Sequence, residues 1–446
     1  MDNIHVTVVG GSRLKNYLHF RRDPIDFLIQ VRDLADAVKL YDTEKRPPFV
    51  INSPELIREI LVSKDSYFRK GRSSRILGMT LDNGLLTSEG AVHEEQRRMM
   101  MPGFHKQQIA GYAEHVVEYS RRLVDTFSDG ANRSMTDDMM NLTLGIINKT
   151  MFNTDTADAT HELAKAVEVC IEFSANRLLS PVSIPHFLPT RWNRKHKEAV
   201  QLLDQAIYRI IQKARDEYIP EQNHLLAMLI EAIDGETGRP LSDQAIRNQV
   251  LTIMIAGHET TANALSWAWY LLAKHPEVEQ KFWQELDDVL GDRDPEFDDF
   301  QKLTYTQQIV QESLRLYPAA WVILREANQD VEMCGYHFPI HSSMIICPFA
   351  IHRNPAYFSD PDSFIPERFA GEEIKNIPRF AFFPFGGGSR SCIGSHFAMM
   401  EAVLILATIG KRYQLQLLPD QPPVEPEPLV SLRIRNGLTM RVSRRT

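Results

Sequence analysis

Phe385-Gly386-Gly387-Gly388-Ser389-Arg390-Ser391-Cys392-Ile393-Gly394 is the stretch from which the rest of this sequence is read. One cysteine stands in a glycine-rich loop, with Arg390 two residues ahead of it. An apolar helical run follows, through Phe397, Ala398, Met399, Ala402, Val403 and Leu404. Glycines let a backbone approach something bulky and take conformations closed to other residues. A cysteine just ahead of a helix N-terminus has its thiolate favoured by the helix dipole and nearby amides. An arginine close by pairs with a carboxylate. Together these features describe a thiolate that binds a metal inside a carboxylate-bearing macrocycle, namely haem. A buried, inert cysteine in a turn is the plain alternative. A phosphate loop is a weaker one, because the Gly-Lys-Ser/Thr ending that grips phosphate is missing.

The 446 residues suffice for one large core, or by length alone for two or three domains. Hydrophobic residues at 43% and charged residues at 24% are ordinary for a soluble globular protein. A net charge of −8 argues against nucleic-acid binding. The four cysteines, Cys170, Cys334, Cys347 and Cys392, are scattered without metal-type spacing and point to a reducing compartment. The apolar patch His5 to Val9 is too short for a membrane span or a signal peptide. The expectation is a soluble, cytoplasmic, prokaryotic protein without a membrane anchor.

Along the chain, Pro47 to Asn52 reads as a strand entry, and Ser53-Pro54 as the cap and first residue of a helix from Glu55 to Val62. Gly71 to Gly90 reads as a loop with apolar islands at Ile76, Leu77, Leu81, Leu85 and Leu86. In His93-Glu94-Glu95-Gln96-Arg97, His93 and Arg97 share a helical face; alone, this is equally a solvated charged helix. Helical periodicity runs over 109–151 with a break at Ser128-Asp129-Gly130, then over 158–177 and 193–218. Between the last two, Leu178 to Pro189 is rich in proline and apolar residues.

Ser242 reads as the cap of a long, mostly apolar helix reaching about Ala273, and such a helix belongs in a core. In its middle stands Ala256-Gly257-His258-Glu259-Thr260-Thr261. A glycine inside a helix costs about 1 kcal/mol against alanine, so Gly257 needs a packing or functional reason. Glu259 and Thr260 put an acid and a hydroxyl into apolar surroundings, which is costly unless they are paired or solvated. A polar notch for helix packing is the plain alternative, and a zinc motif is excluded because no second histidine follows. Glu312 and Arg315 lie one turn apart on a further helix and by themselves make an ordinary surface ion pair. Pro318 to Arg325 reads as a strand, Val331 to Arg353 as a small sheet, and Leu429–Leu432 with Leu438–Val442 as a final hairpin.

The cysteine stretch matches Phe-x-x-Gly-x-Arg-x-Cys-x-Gly, and so the chain resembles the cytochrome P450 superfamily from about Pro24 to Val442. His93/Arg97, Ala256 to Thr261, Glu312/Arg315 and Phe385 to Gly394 occur in the family's order. The resemblance implies a mainly α fold with small β-sheets, a long central helix over the haem and the cysteine loop beneath it. It implies a single haem domain over 1–446 with no fused reductase. Cys392 would be the axial thiolate and metal ligand of haem b. Phe385, Gly386, Gly394, Ala256 and Gly257 would contact the cofactor, and His93, Arg97, Arg325 and Arg390 would neutralise its propionates. Thr260 would hold a proton-donating water, with Glu259 in the proton relay. Glu312, Arg315 and Arg368 of Pro366-Glu367-Arg368-Phe369 would form a structural triad behind the cysteine loop. Gly71 to Gly90 would cover the substrate pocket and Leu178 to Pro189 would be its mobile lid. The final hairpin's tip would reach the same pocket. Relatives have glycine where this chain has His341.

The implied activity is insertion of one atom of O2 into an apolar substrate, by hydroxylation or epoxidation. Leu251, Thr252, Ile255, Ala319, Ala320 and Ile323 are the expected pocket residues, and a fatty-acid- or terpenoid-sized lipid the favoured substrate. Electrons would come from a separate ferredoxin or flavodoxin with its NAD(P)H reductase, serving a monomer. The alternatives are a non-catalytic haem-thiolate sensor or carrier, and a peroxygenase or isomerase on the same fold. The sensor or carrier and the peroxygenase have no use for the Glu259–Thr260 pair, and an isomerase usually departs from the cysteine-loop pattern.

Overall fold

Ser242 accepts a hydrogen bond from the Ala245 N–H at 3.2 Å, and the helix Asp243–Lys274 starts there as expected. The structure is a computed structural model and describes residues 6–43, 46–155, 160–180, 184–217, 224–235 and 237–445. The chain forms two compact units. One holds Met1–Arg75 and Leu314–Cys392, the other Ile76–Ser313 and Ile393–Thr446. The first carries the main sheet and is called the sheet unit below; the second is the helical unit.

In the sheet unit, six strands pair in the order Thr7–Val8, Ala37–Lys39, Pro48–Ile51, Ser343–Ile346, Ile323–Ala327 and Phe68–Arg69. Pro48–Ile51 is buried along its length and runs parallel to Ser343–Ile346. Phe49, Ile51, Phe68, Phe338, Met344 and Ile346 build the core against it, and Ile57, Ile60 and Leu61 join them from the segment that follows. Ser53 caps that segment through the Leu56 N–H, and Pro54 opens it. Its α-helix ends at Arg58 and continues as a π-turn over Glu59–Ser63. The strand expected from Pro318 starts only at Ile323. His341 takes φ +67°, the left-handed conformation that glycine would adopt without cost.

In the helical unit, the Asp243–Lys274 helix is surrounded. Val250, Leu251, Met254, Ala262, Leu265, Trp267, Trp269 and Leu272 are all buried, which is why its sequence shows no polar face. The helices Lys106–Val124, Met135–Phe152, Thr160–Leu179, Arg191–Asp216, Pro276–Leu290 and Ser395–Gly410 are further large packing elements of the unit. The expected break at Ser128-Asp129-Gly130 is present, and a short strand, Asn132–Ser134, follows it.

Two sequence expectations fail here. Residues 72–81 are a helix, Arg72–Leu81, rather than part of a loop. Ile76, Thr80 and Leu81 form its buried side, while its serines and Gly78 hid that period. The C-terminal hairpin pairs differently. Leu432–Ile434 pairs with Pro426–Pro428, and Thr439–Arg444 with Tyr413–Leu417 and Asn132–Ser134. Asn436 and Gly437 both take positive φ and turn the chain away between the two segments. Of the expected lid, Pro181, Val182 and Ser183 lie outside the described residues.

Candidate active site

The cysteine loop is held mainly by its own backbone. Gly386 N–H donates to Phe383 C=O at 2.9 Å, Ser391 N–H to Gly388 C=O at 3.1 Å, and Cys392 N–H to Phe385 C=O at 2.9 Å. Gly388 sits at φ +70°, and a Cβ there would stand 1.7 Å from the Leu61 carbonyl oxygen. Only glycine fits both demands. Ser389 donates its hydroxyl to Asp65, and Arg390 reaches Phe68 C=O at 3.3 Å. The loop leaves the Cys392 thiol exposed, whereas Cys170 and Cys347 are buried, and burial pushes both of those thiols up to about 12. Accessibility thus separates Cys392 from those two cysteines as a ligand.

Behind the loop, His352 Nε2 accepts the Phe383 N–H at 3.0 Å. Burial, then the nearby Arg315 and Arg353 guanidinium groups, pushes this imidazole down to about 3. It is therefore neutral and keeps its acceptor. Arg315 is fully buried and donates to the carbonyls of His352, Pro361 and Ser363 at 2.8, 2.7 and 3.0 Å. Arg368 donates to Asp360 C=O at 2.8 Å and Ser359 Oγ at 3.3 Å. Glu312 is buried one turn before Arg315 on the helix Thr304–Leu316. Arg325 is half-buried on its strand and donates to Leu324 C=O at 2.9 Å. Ala319 is buried, Ala320 exposed, and Ile323 packs on the sheet core.

In the helical unit, Gly257 has the packing reason its position demanded. A Cβ there would stand 2.7 Å from Ile147 Cδ1 of the helix Met135–Phe152. Thr260 Oγ1 donates to Ala256 C=O at 2.8 Å, and Thr261 Oγ1 to Gly257 C=O at 3.1 Å. Thr143 Oγ1 donates to His258 C=O at 3.0 Å from the neighbouring helix. Hydroxyls bonded back to the i−4 carbonyl loosen and bend a helix. Ile255, Ala256, Gly257 and Thr260 are half-exposed, while Leu251 and Thr252 are buried. Thr252 Oγ1 sits where a Cβ on Gly84 would meet it, and donates to Asn248 C=O at 2.7 Å. His93 is buried and Arg97 half-buried on the helix Gly90–Met100, as their shared face required. Gly394 is the cap residue of Ser395–Gly410, with the Phe104 ring beside it.

Glu259 is buried, and burial pushes its carboxyl up to about 7 against the opposing pull of a hydrogen bond from Ser431 and the charge of Arg433. Ser431 Oγ donates to Glu259 Oε1 at 2.6 Å. His258 donates from Nδ1 to Met254 C=O at 2.8 Å and is pushed down by burial to about 4, so it is neutral. Three residues escaped the sequence reading. Ser431 meets Glu259 and Asn263 only through the fold. Glu401, on the helix that follows the cysteine, is fully buried, and burial holds its carboxyl far above the usual range. Its glutamate within the apolar run after Cys392 was the available signal.

The donor set fits a haem. Of the two exposed thiols, Cys334 and Cys392, the one in the glycine loop suits an axial iron position, Arg325 and Arg390 of the same unit suit carboxylates, and no group of three metal-ligating side chains competes among the described residues. The family model for cytochrome P450 matches residues 13–440. Cyclooctatin synthase of Streptomyces melanosporofaciens is 36% identical over 430 residues, spanning 96% of this chain and 93% of that protein. Cyclooctat-9-en-7-ol 5-monooxygenase of the same organism is 34% identical, over 89% of this chain and 86% of that protein. Pentalenene oxygenase of Streptomyces avermitilis is 31% identical, over 95% and 94%.

The chain belongs to the cytochrome P450 family. It is a P450 monooxygenase, which holds haem through a cysteine thiolate and uses O2 and electrons from a redox partner. Thiolate-ligated haem supplies the chemistry of O–O bond cleavage. Among the described residues, no helix is long and apolar enough to cross a membrane.

Proposed function

We propose that this monooxygenase hydroxylates or epoxidises a terpenoid-sized apolar substrate. The observation that carries the catalytic reading is Glu259, a buried acid with its pKa near 7, next to the half-exposed hydroxyl of Thr260. A general acid works best with a pKa near the working pH, and its contribution is roughly 10²–10⁴-fold. A sensor, carrier or peroxygenase has no use for such a pair. The substrate class is supported by relatives whose names specify pentalenene and cyclooctat-9-en-7-ol.

In this reading Cys392 ligates haem b, and Arg390, Arg325, His93 and Arg97 neutralise its propionates. Phe385, Gly386, Gly394, Ala256 and Gly257 contact the macrocycle. Thr260 orients a water and Glu259 passes protons to it. Glu312, Arg315 and Arg368 form the supporting triad. Ile255, Ala319 and Ile323 contact substrate, with Leu251, Thr252 and Ala320 shaping the same site. The haem domain is a single, cytoplasmic, monomeric unit served by a separate ferredoxin or flavodoxin.

Two experiments test this. The reduced, CO-bound spectrum should show the red-shifted Soret band of thiolate ligation in wild type and lose it in Cys392→Ala. An unchanged band in the variant overturns the ligand assignment. Pentalenene, cyclooctat-9-en-7-ol and a fatty-acid series should then be titrated against the resting haem spectrum and turned over with a surrogate ferredoxin and reductase. Binding and oxidation of the terpenoids are expected. A response to fatty acids alone, or to polar ligands alone, overturns the substrate class.

A further inference from the structure

The short hairpin made by Pro426–Pro428 and Leu432–Ile434 carries Ser431 at its turn, and this turn meets the central helix. Trp267 Nε1 donates to Leu432 C=O at 3.1 Å and pins the hairpin. Asn263 Nδ2 donates to Ser431 Oγ at 2.9 Å, and Ser431 Oγ donates to Glu259 Oε1 at 2.6 Å. The serine hydroxyl has one proton. With Asn263 donating to its oxygen, that proton is directed at the carboxyl. Ser431 is 3% exposed and Glu259 5%, so water does not compete freely for either.

Two residues beyond Ser431 stands Arg433. It reaches Glu427 at 2.6 Å, Glu168 at 3.3 Å and Glu172 at 3.6 Å, the last two from the helix Thr160–Leu179. Charges on three elements therefore converge behind the buried acid. On the acid's own helix, His258 is turned to Met254. On the helix after the cysteine, Glu401 lies against Thr261. Neither Ser431 nor the Arg433 cluster has a part in the reading given so far.

We propose that Ser431, aligned by Asn263, is the positioning residue for Glu259, on a hairpin that also carries the Arg433 cluster. The hydrogen bond favours the charged carboxylate, as does the cation. Glu168 opposes them. In this position the Ser431 bond holds the carboxyl in place while Glu259 gains and loses its proton. One proton enters and one leaves, with no change of oxidation state. The inference rests on the reading of Glu259 as the proton-passing acid.

Infrared titration of the resting holoenzyme tests it directly. The protonated-carboxyl stretch lost in Glu259→Gln belongs to Glu259. Its midpoint should rise by about one pH unit in Ser431→Ala, from the loss of a hydrogen bond to a charged group. It should rise in Arg433→Ala, fall in Glu168→Gln, and return towards wild type in Ser431→Thr, which keeps a hydroxyl. The CO spectrum shows whether each variant retains its thiolate site. An unmoved midpoint in folded Ser431→Ala and Arg433→Ala overturns the inference. The reading beneath it fails separately, if Glu259→Gln keeps its yield of product per NADPH consumed.

Discussion

The cysteine loop and the middle of the central helix, to which the proposed function gives the ligand and the acid, are built by opposite means. Around Cys392 the holding contacts are largely backbone to backbone, made by a chain that only glycine can follow at Gly388. Around Glu259 they are side chain to side chain, between buried polar groups of which the acid itself is ionisable. A ligand has to stay still, and backbone rings hold it still. A proton-passing acid has to change charge and partner, and a side-chain hydrogen bond allows both. The comparison predicts that the loop tolerates almost no substitution of its glycine, while the helix responds to substitutions that change charge.

The largest effect is expected where backbone geometry is broken. Gly388→Ala adds a Cβ at φ +70°, 1.7 Å from a carbonyl oxygen of another segment. Left-handed strain alone costs about 1–3 kcal/mol, and backbone cannot step aside as a side-chain end can. The variant should be recovered without haem, or with the CO band of a displaced thiolate. Recovery with a normal spectrum would show the loop to be softer than its hydrogen bonds suggest.

The helix predicts a charge effect instead. Glu259 keeps its proton to about pH 7 in the folded protein, against 4.5 for its ordinary value. Between those values the folded state binds more protons than the unfolded one, so stability falls as pH rises, by about 3 kcal/mol in all, and levels above pH 7. His258 and His352 are pushed down, to about 4 and about 3, and slope the other way, gaining stability as pH rises towards 6.5. The histidine slope is present in wild type and in Glu259→Gln alike, whereas the glutamate slope is present in wild type alone. Urea unfolding at pH 5 and pH 8 should therefore show the variant gaining on wild type at the higher pH. Parallel behaviour would mean that Glu259 is not held neutral by burial.

A smaller effect is expected where a side chain supports the loop. His352→Leu leaves the Phe383 N–H without its acceptor, which costs about 1–3 kcal/mol. The expected sign is conversion of the CO band to its thiol form at lower urea than in wild type. Equal resistance would show that the loop stands on its backbone ring alone.

The same division decides what could be read from the sequence. The loop was legible because its parts are contiguous, from Phe385 to Gly394. The long helix was legible because burial on most sides leaves an apolar record. Ser431 was not, because its partner Glu259 is 172 positions away and no local pattern joins them. His352 was hidden in the same way, 31 positions from Phe383. Pro426-Glu427-Pro428 gave no strand signal because proline removes ladder donors, yet it forms an edge strand. The helix Arg72–Leu81 was missed because serines and a glycine interrupt its apolar period. His341 takes the left-handed turn in place of glycine, so the turn survives a residue that disfavours it.

The smallest effect gives the sharpest test of the contrast, since it concerns a second glycine. Gly257 is helical, so alanine there meets no backbone strain and gains about 1 kcal/mol of helix propensity. What it meets is Ile147 Cδ1 at 2.7 Å, the far end of a side chain that can rotate. Overpacking of this kind costs about 1–3 kcal/mol, so the net loss should be about 1 kcal/mol, with haem content unchanged. Ile147→Val removes the Cδ1 and by itself costs about 0.5–1.5 kcal/mol. The two changes together should cost less than their sum, because the valine gives the new methyl room. Additive losses would place the strain in the helix backbone, and the two glycines would then be needed for the same reason.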